Sequence, residues 1–574
     1  MSVKSFVVLK KTGTYADSSA ACGLAVLLRL LTDQTPVIRD KGPHYEVELE
    51  RAVDLDKLDY ARLQHTPGYR FAKTAGEKDV PSDADVYDLA SEESKYQAWL
   101  ADQKAKKTKA KAQVKVTAAT EGGEAMLDVD PDYPLYRQLS FLQALGGSYN
   151  GLFIAIREAD RDEFAASVRR KLEAMAQGLD PAKEETPFTF KARPVQAFNP
   201  VVGKGVNRPK PDGAPVLNLN ENYTDWFDEW LRYAGTSVVA TAKGIGKDIK
   251  FAALSPANMR LESVRKVLRP DFLSVSSRVW SSSQLEIQGC LEVAKSLVEK
   301  SGLLGGDSQW TIEGFTPRDL VSGLHTAYFK SLGQGRAVSN ISFIGLPGWF
   351  PVKDAESARD WLEILNEHIE LVRYLREDRS EEYSLLSTYR DFLGGHSVSC
   401  FLEFAAAYGA YVLSSRVSDK PVKQMTVGNI RKLVVNMEKR YAPILENDGF
   451  RAIARAIRLA TVTEQFHASK NDQQYEIRYS LLHDLRRAAR FKDRLLQTVT
   501  DFIGAYNAEN ARTQERLAGR KGAGVRLRPR VTTEELERFV ELLDGYEPET
   551  VGYLLIAYGS AREPQESTTA EAKQ

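Results

Sequence analysis

The sequence predicts an α+β N-terminal region followed by an all-α helical bundle as the C-terminal domain. Short apolar segments with strand-like alternation or flanking turn residues recur up to about residue 350. Beyond about residue 354 these strand signals stop, and apolar residues recur at helical spacing. The chain has 574 residues, which is too long for one compact core and predicts several domains.

The first elements follow from local pattern. Residues 5–10 are rich in Phe, Val and Leu, and residues 44–49 (HYEVEL) alternate strictly, so both predict strands. Residues 22–31 predict a short apolar helix, and the turn-rich residues 15–21 predict a break before it. Residues near 78–132 form a different kind of segment, which we expect to be an exposed or mobile insertion. It contains a lysine run, Lys104, Lys106, Lys107, Lys109, Lys111 and Lys115.

The rest of the N-terminal region continues this mixture. Residues 151–158 predict a strand and residues 163–177 a helix. Residues 188–198 predict a further strand, confined to a sheet edge because Pro194 lacks an N–H. Residues 237–242 and 247–253 predict a hairpin, since the glycines between them permit a tight turn.

The predicted α+β body spans residues 1–353, and its last strand is residues 340–344. We predict three parts in the rest of the chain. Residues 354–420 form a helical connector that includes the strongly apolar and buried helix 399–414. Residues 421–562 form the helical bundle, in which Thr532 and the acids after it mark a helix start. Residues 563–574 form a disordered tail.

Charge is balanced overall but not along the chain. The 78 basic residues equal the 78 acidic ones. Residues 425–530 nevertheless contain 21 basic and 11 acidic side chains, and residues 531–574 contain 3 and 10. This asymmetry favours nucleic-acid contact, although a solvated helix face produces it too. With no uninterrupted run of eighteen apolar residues and three widely spaced cysteines, we expect a cytoplasmic protein without a membrane span or disulfide.

No catalytic motif is complete in the sequence. His483-Asp484 is the dipeptide of HD phosphohydrolases, but it needs partners such as His467 and is followed by three arginines that would repel a divalent cation. Gly203-Lys204-Gly205 and Gly244-Ile245-Gly246-Lys247 lack the spacing of a P-loop. We therefore expect no enzyme activity, no metal and no cofactor.

Arginines recur at helical spacing in the C-terminal region. The first row is Arg451, Arg455 and Arg458, at i, i+4 and i+7. The second row begins at His483 and continues at i+4, i+7 and i+11 with Arg487, Arg490 and Arg494, on a stretch that we predict to be one long helix. Such rows could follow a phosphate backbone without reading sequence. The alternative is a surface row paired with neighbouring acids.

A second basic segment is the loop 198–213. It carries Asn199, Lys204, Asn207, Arg208 and Lys210 among glycines and prolines. Asn can bridge adenine N6 and N7, and Arg or Lys can bridge guanine O6 and N7. The loop is therefore a candidate for reading a short DNA motif, with an ordinary basic surface loop as the alternative.

Several segments together resemble a known family. NDGFRAIARAIRLATVTEQF, YEIRYSLLHDLRRAARFKDRLLQTVTDFIGAYNAENARTQER and VTTEELERFVELLDGYEPETVGYLLIAYGSAR resemble the small-subunit module of Cascade, the effector complex of type I CRISPR–Cas systems. FNPVVGKGVNRPKP and FIGLPGWFPV are similar to the I-B-like large subunit. The resemblance is more specific in the last 130 residues or so than before them.

The resemblance implies a non-catalytic large subunit of a crRNA-guided surveillance complex. Such a subunit recognises the protospacer-adjacent motif in double-stranded DNA and stabilises the R-loop. The implied partners are crRNA, target DNA, the backbone, crRNA-end-capping and small subunits, and a helicase–nuclease or transposition proteins acting in trans. The alternatives are a helical scaffold or adaptor without nucleic acid, and an HD-type metal-dependent nuclease.

In several Cascade subtypes the small subunit is also made separately, by internal initiation within the large-subunit gene. Met425 and Met437 both precede the first arginine row. Met425 follows a polar, proline-containing stretch, whereas Met437 falls inside a predicted helix spanning 429–441. The sequence therefore favours Met425 as an internal start, and two ordinary methionines remain the alternative.

Overall fold

A computed structural model describes residues 2–563 except 75–79, 114–131, 143–144, 147–148, 193–194, 203–224, 280, 306–309, 311–313, 334, 396, 419 and 519–525. The chain forms two compact units. Unit 1 comprises Met1–Leu297 and Pro317–Leu346, and unit 2 comprises Val298–Thr316 and Pro347–Gln574. Unit 1 mixes helices with sheets and unit 2 is largely helical, so the predicted fold class is confirmed.

Unit 1 interleaves its strands with helices. The strands are β1 Ser2–Leu9, β2 Val37–Asp40, β3 His44–Asp54, β4 Phe71–Lys73, β5 Val86–Asp88, β6 Ala240–Ile245, β7 Asp248–Pro256, β8 Asn258–Arg260, β9 Val321–Ser331 and β10 Arg336–Gly345. The helices are α1 Tyr15–Thr32, α2 Ala61–His65, α3 Leu89–Gln113, α4 Tyr133–Phe141, α5 Tyr149–Glu158, α6 Arg161–Ala176, α7 Trp226–Val239, α8 Leu261–Ser263, α9 Arg269–Arg278, α10 Ser282–Glu299 and α11 Pro317–Leu320.

Two antiparallel sheets organise unit 1, in the strand orders β1-β3-β2-β8 and β10-β9-β7-β6. β4 and β5 form a short parallel pair. The predicted hairpin is confirmed as β6–β7, with Ile245 opposite Asp248 and Gly246 at a φ of 60° in the turn. A positive φ is accessible to glycine without steric cost.

Helices α1 and α7 cross with their backbones in direct proximity. A Cβ added at Gly23 would lie 1.8 Å from the Leu231 carbonyl oxygen, and one at Gly235 would lie 1.7 Å from the Ser19 carbonyl oxygen. Neither position therefore accepts a side chain without separating the helices. This crossing places α1, whose residues are mostly buried, in the core of unit 1.

Three predictions in unit 1 are wrong. Residues 15–21 form the start of α1, because Thr14 caps the helix by accepting from the Ala16 N–H and the small residues pack in the core. Residues 151–158 belong to helix α5, since a short apolar run does not distinguish a strand from a buried helix. Residues 188–198 were predicted to form a strand, but those of them that the structure describes form none. In addition, strand β9 was not predicted.

The lysine-rich segment is partly described. Helix α3 runs from Leu89 to Gln113, and Lys104 on it is exposed. Residues 114–131, which include Lys115, lie outside the described residues, as does the tail from residue 564. The prediction of a mobile insertion and of a disordered tail stays a prediction.

Unit 2 consists mainly of helices. They are α12 Ala355–Arg373, α13 Ser380–Gly394, α14 Val398–Val417, α15 Val427–Met437, α16 Ala442–Glu446, α17 Asp448–Ala460, α18 Val462–Ala468, α19 Leu481–Ala488, α20 Lys492–Ala518, α21 Thr533–Gly545 and α22 Pro548–Ser560. The predicted start at Thr532 is confirmed by a capping box in which Thr532 and Glu535 each accept from the other's backbone N–H.

The last helix, α22, is central to unit 2. It packs against α14 and α17 through small residues: a Cβ at Gly409 would lie 2.2 Å from the Ser560 hydroxyl, and one at Gly559 would lie 2.5 Å from Ile457. α14 is long and apolar enough to cross a membrane by length and composition, but most of it is buried inside the protein. It is a core helix of unit 2, as the sequence predicted.

Met425 lies inside this packing. Its side chain is 2% exposed, and its carbonyl oxygen accepts a hydrogen bond of 2.7 Å from the Arg562 N–H. The predicted boundary at 420 falls within unit 2, between α14 and α15. A free module starting at Met425 would lack α14 and would expose the face of α22 that α14 covers. Internal initiation stays a prediction.

Candidate nucleic-acid interface

The arginines of α17 do not form one exposed row. Asn447 caps the helix by accepting from the Phe450 N–H, and its apolar side packs into unit 2. Arg451 and Arg455 are exposed, and the Nε of Arg451 donates to the Leu445 carbonyl at 2.8 Å. Arg458 is only 8% exposed. The helix face predicted from the spacing is therefore divided between solvent and interior.

Arg458 is a structural residue. Its Nε and Nη2 donate to the Tyr558 carbonyl at 3.3 and 2.8 Å, and its guanidinium pairs with the Glu563 carboxylate. Burial lowers the pKa of Arg458, and the Glu563 charge opposes that shift. Because these contacts join α17 to the end of α22, Arg458 is not available to a phosphate, contrary to the prediction.

The second arginine row lies on two helices rather than one. α19 ends at Ala488 and α20 begins at Lys492. At the break Ala489 packs against α22, where a Cβ at Gly552 would lie 2.7 Å from the Ala489 Cβ. The break leaves the side chain of Phe491 55% exposed between the two helices. The prediction of one continuous helix is wrong.

Arg487, Arg490 and Arg494 nevertheless all lie on the surface. Arg487 is 80% exposed and pairs with Asp484 at 2.5 Å, and Arg490 is 66% exposed and pairs with Glu549 at 3.3 Å. The guanidinium of Arg494 lies 4.9 Å from the centre of the Phe491 ring. Exposed ion pairs of this kind add little to stability because solvent screens them, so these arginines can change partner at little cost.

A surface groove of about 670 Å³ follows α19 and the break. We call it the basic groove, and it is lined by Glu403, His483, Arg486, Arg487, Arg490, Phe491 and Tyr553. The lining itself holds three guanidiniums and one carboxylate, and two of the guanidiniums, those of Arg487 and Arg490, have exposed acidic partners beside the groove that a phosphate could replace. An exposed aromatic ring beside guanidiniums is the arrangement that holds single-stranded nucleic acid, because the ring stacks on bases while the cations contact phosphates.

A neighbouring groove of about 940 Å³ shares Arg487 with the basic groove. It also contains Tyr479, which is 48% exposed, and Arg494. Its cations are matched by acids, among them Asp484 and Asp501. The excess of cations over acids among the lining residues is therefore larger in the basic groove.

Sequence reasoning missed Phe491, Arg486 and Tyr479. The signal for Phe491 was present, since it stands between basic residues in the stretch RRAARFKDR. Helical spacing instead directed attention to the arginines alone.

The residues of the incomplete HD motif do not come together as metal ligands within the described residues. No group of three or more His, Cys, Asp or Glu side chains is placed there to hold an ion. His483 is exposed and lines the basic groove, and Asp484 pairs with Arg487. His467 has its Nδ1 3.4 Å from Asp472 Oδ2.

Of the five predicted motif-reading residues, only Asn199 is described. Its side chain is fully buried, and Oδ1 accepts from the Val201 N–H at 3.3 Å. It closes a local turn and does not present its amide to a DNA groove, contrary to the prediction. Lys204, Asn207, Arg208 and Lys210 lie outside the described residues.

Comparison with protein-family models gives no match for this chain, and comparison with curated proteins gives none either.

Proposed function

We propose that this protein is a non-catalytic nucleic-acid-binding subunit that holds a strand along the basic groove. The observation that carries the proposal is the placement of Arg487, Arg490 and the exposed Phe491 along one surface groove of unit 2. Guanidiniums neutralise phosphates and release condensed counterions, which supplies affinity without reading sequence.

The chemistry of the groove favours an unpaired strand. Phe491 offers a stacking surface for a base, and bases in a duplex are already stacked on their neighbours. Arg494, which contacts the Phe491 ring, extends the cationic surface onto α20. A strand crossing the break between α19 and α20 would meet a ring flanked by cations.

The finer proposal rests on the resemblance of the sequence to Cascade large subunits. In that role unit 2 would guide displaced or target-strand DNA in a crRNA-guided complex, and the loop 203–210 would contact the protospacer-adjacent motif. The other Cascade subunits would bind the crRNA jointly, and a helicase–nuclease or transposition proteins would act afterwards. Copurified crRNA from cells expressing the whole complex tests this finer proposal.

The test of nucleic-acid binding replaces Arg487, Arg490 and Arg494 together with Gln in the full chain. We expect the affinity for a single-stranded oligonucleotide to fall about 10- to 100-fold, and the dependence of log affinity on log salt to flatten by roughly two units. Fluorescence anisotropy at several salt concentrations measures both quantities.

The matched control replaces Arg431, Arg440 and Arg538 with Gln. These arginines are also exposed in unit 2 and pair with Glu446, Glu438 and Asp448, away from the basic groove. The control removes the same charge and should retain most of the affinity. Equal losses in both triple variants, or no loss in either, would favour a scaffold that does not use this groove.

A further inference from the structure

Unit 1 contains a second cationic pocket, which the proposed function does not use. It has a volume of about 520 Å³ and lies beside the turn of the β6–β7 hairpin, between that hairpin and α4. Arg137 and Phe141 on α4, Lys243 and Lys247 on the hairpin, and Arg336 on β10 line it.

Two glycines in the hairpin carry no side chain that would fill the pocket. Gly246 adopts a φ of 60° in the turn, and Gly244 faces α4, where a Cβ would lie 3.4 Å from the Gln138 amide nitrogen. β7 follows the turn directly. Since a P-loop leads from a strand into a helix, the Gly-Ile-Gly-Lys stretch is not one, and its lysines flank a hairpin turn instead.

Charge in this pocket is not balanced by the protein. Arg137, Lys243, Lys247 and Arg336 have no ion-pair partner among the residues that the structure describes. The one carboxylate in the lining, Asp248, is already occupied: it accepts from the Tyr328 hydroxyl at 2.9 Å and from the Ser331 N–H at 2.8 Å.

Two of the four cations, Lys243 and Arg336, are also half-buried. Lys243 is half-buried, and burial lowers its pKa. The Nε of Arg336 is buried and has no hydrogen-bond partner within the described part of the chain. A half-buried cation without a counter-charge is less well solvated than one in water, so an anionic ligand would be favoured in this pocket.

An aromatic ring stands at the same pocket. Phe141 is 52% exposed, and the guanidiniums of Arg336 and Arg137 lie 5.3 and 6.0 Å from its ring centre. Arg336 Nη1 also donates to the Phe141 carbonyl at 2.8 Å, which fixes the guanidinium beside the ring. A large exposed aromatic residue offers stacking area that a simple phosphate would not need.

We propose that this pocket binds a nucleoside phosphate, with the phosphate held by Lys243, Lys247 and Arg137 and the base stacked against Phe141 and Arg336. The site goes beyond the proposed function, because it lies in unit 1 and does not depend on the basic groove. Its ligand is either a free nucleotide or the phosphorylated terminal nucleotide of a strand, which present the same chemistry.

The test measures binding of a fluorescent adenosine monophosphate analogue and of a labelled 5′-phosphorylated trinucleotide to the full-length protein. We expect Lys243→Gln to reduce the affinity for the ligand that the wild type binds by about tenfold or more. The reason is that the substitution removes a charge-assisted hydrogen bond to the phosphate. Phe141→Leu should weaken nucleotide binding about tenfold while leaving competition by inorganic phosphate unchanged.

Controls separate this site from others and from misfolding. Lys266→Gln, at a lysine that is 75% exposed and pairs with Glu262, should leave binding unchanged, as should the Arg487/Arg490/Arg494→Gln variant. Urea unfolding of Lys243→Gln verifies its fold. Wild-type binding of the mononucleotide supports a free-nucleotide site, and binding of the trinucleotide alone supports a strand terminus. Binding of neither at millimolar concentration, or equal binding by wild type and a folded Lys243→Gln, would overturn the proposal.

Discussion

Arg458 and Arg528 lie in the interior of unit 2, whereas Arg487 and Arg494 lie on its surface. Arg458 and Arg528 are 8% and 9% exposed, and their N–H groups are directed at backbone carbonyls, carboxylates and aromatic rings of the protein. Among the residues that the structure describes, the ion-pair partner of Arg487 is Asp484, one helical turn away. An arginine with buried acceptors holds the fold together, and one with exposed partners can exchange them for a ligand.

Glu464 is the centre of the interior group. It is fully buried and accepts from the backbone N–H groups of Gln474 and Tyr475 at 2.6 and 3.0 Å. Its second oxygen accepts from Arg526 and Arg528, each at 3.2 Å. The Arg528 guanidinium also lies 3.6 Å from the centre of the Tyr475 ring. This cluster joins α18 to the segment that precedes α21.

The largest expected effect in this comparison is on stability. Glu464→Gln removes the charge opposite two arginines and directs an amide donor at groups that are themselves donors. We expect the free energy of unfolding to fall by about 3–5 kcal/mol, measured by urea denaturation at neutral pH. Glu549→Gln, which removes the exposed partner of Arg490, should change it by less than about 0.5 kcal/mol. Equal effects would show that burial does not distinguish the two groups.

The cluster around Glu464 also predicts that the stability of the protein depends on pH. Burial acts to raise the pKa of Glu464, but hydrogen bonds from Tyr475, Gln474 and Arg526 outweigh it, so the pKa lies below the ordinary 4.5. A lowered folded-state pKa means that stability is present above pH 4.5 and is lost as the pH falls below that value. Glu464→Gln should therefore lose less stability than the wild type between pH 5 and pH 3. An equal loss of stability in the wild type and in Glu464→Gln over this pH range would contradict this prediction.

We expect an effect of intermediate size on nucleic-acid affinity when Phe491 in the basic groove is replaced. Phe491→Leu keeps an apolar side chain but removes the stacking surface, so affinity for a single strand should fall by about 1–2 kcal/mol. Affinity for a duplex should change little. Tyr383→Leu on α13, which removes another exposed aromatic side chain of unit 2, serves as the control in the same anisotropy measurement. A loss on duplex as large as that on single strands would argue against stacking.

The smallest effect is expected on α17. Arg455 is exposed but has no exposed arginine at the i+3 position, because Arg458 is turned inward. We expect Arg455→Gln to lower single-strand affinity less than about twofold and to leave the salt slope within one unit of wild type. A loss comparable to that of the Arg487/Arg490/Arg494 variant would extend the nucleic-acid path onto α17.

Local chemistry in the sequence determined several features. The alternation of HYEVEL specified a strand that is half-buried in β3, and Thr532 with Glu535 specified a helix start. The glycines of the β6–β7 turn predicted a hairpin, and the apolar run of α14 predicted a core helix. Each of these depends on neighbours within a few residues, which the sequence contains in full.

Tertiary packing decided the rest. Helical spacing places Arg451, Arg455 and Arg458 near one another on α17, but only the approach of α22 determines that Arg458 is covered. The contact between Ala489 and Gly552, which are distant in the chain, accompanies the break that exposes Phe491. Periodicity fixes the direction of a side chain relative to its own helix axis. Which neighbour lies in that direction is set by long-range packing, and that packing separates an arginine that stabilises the fold from one that can bind a phosphate.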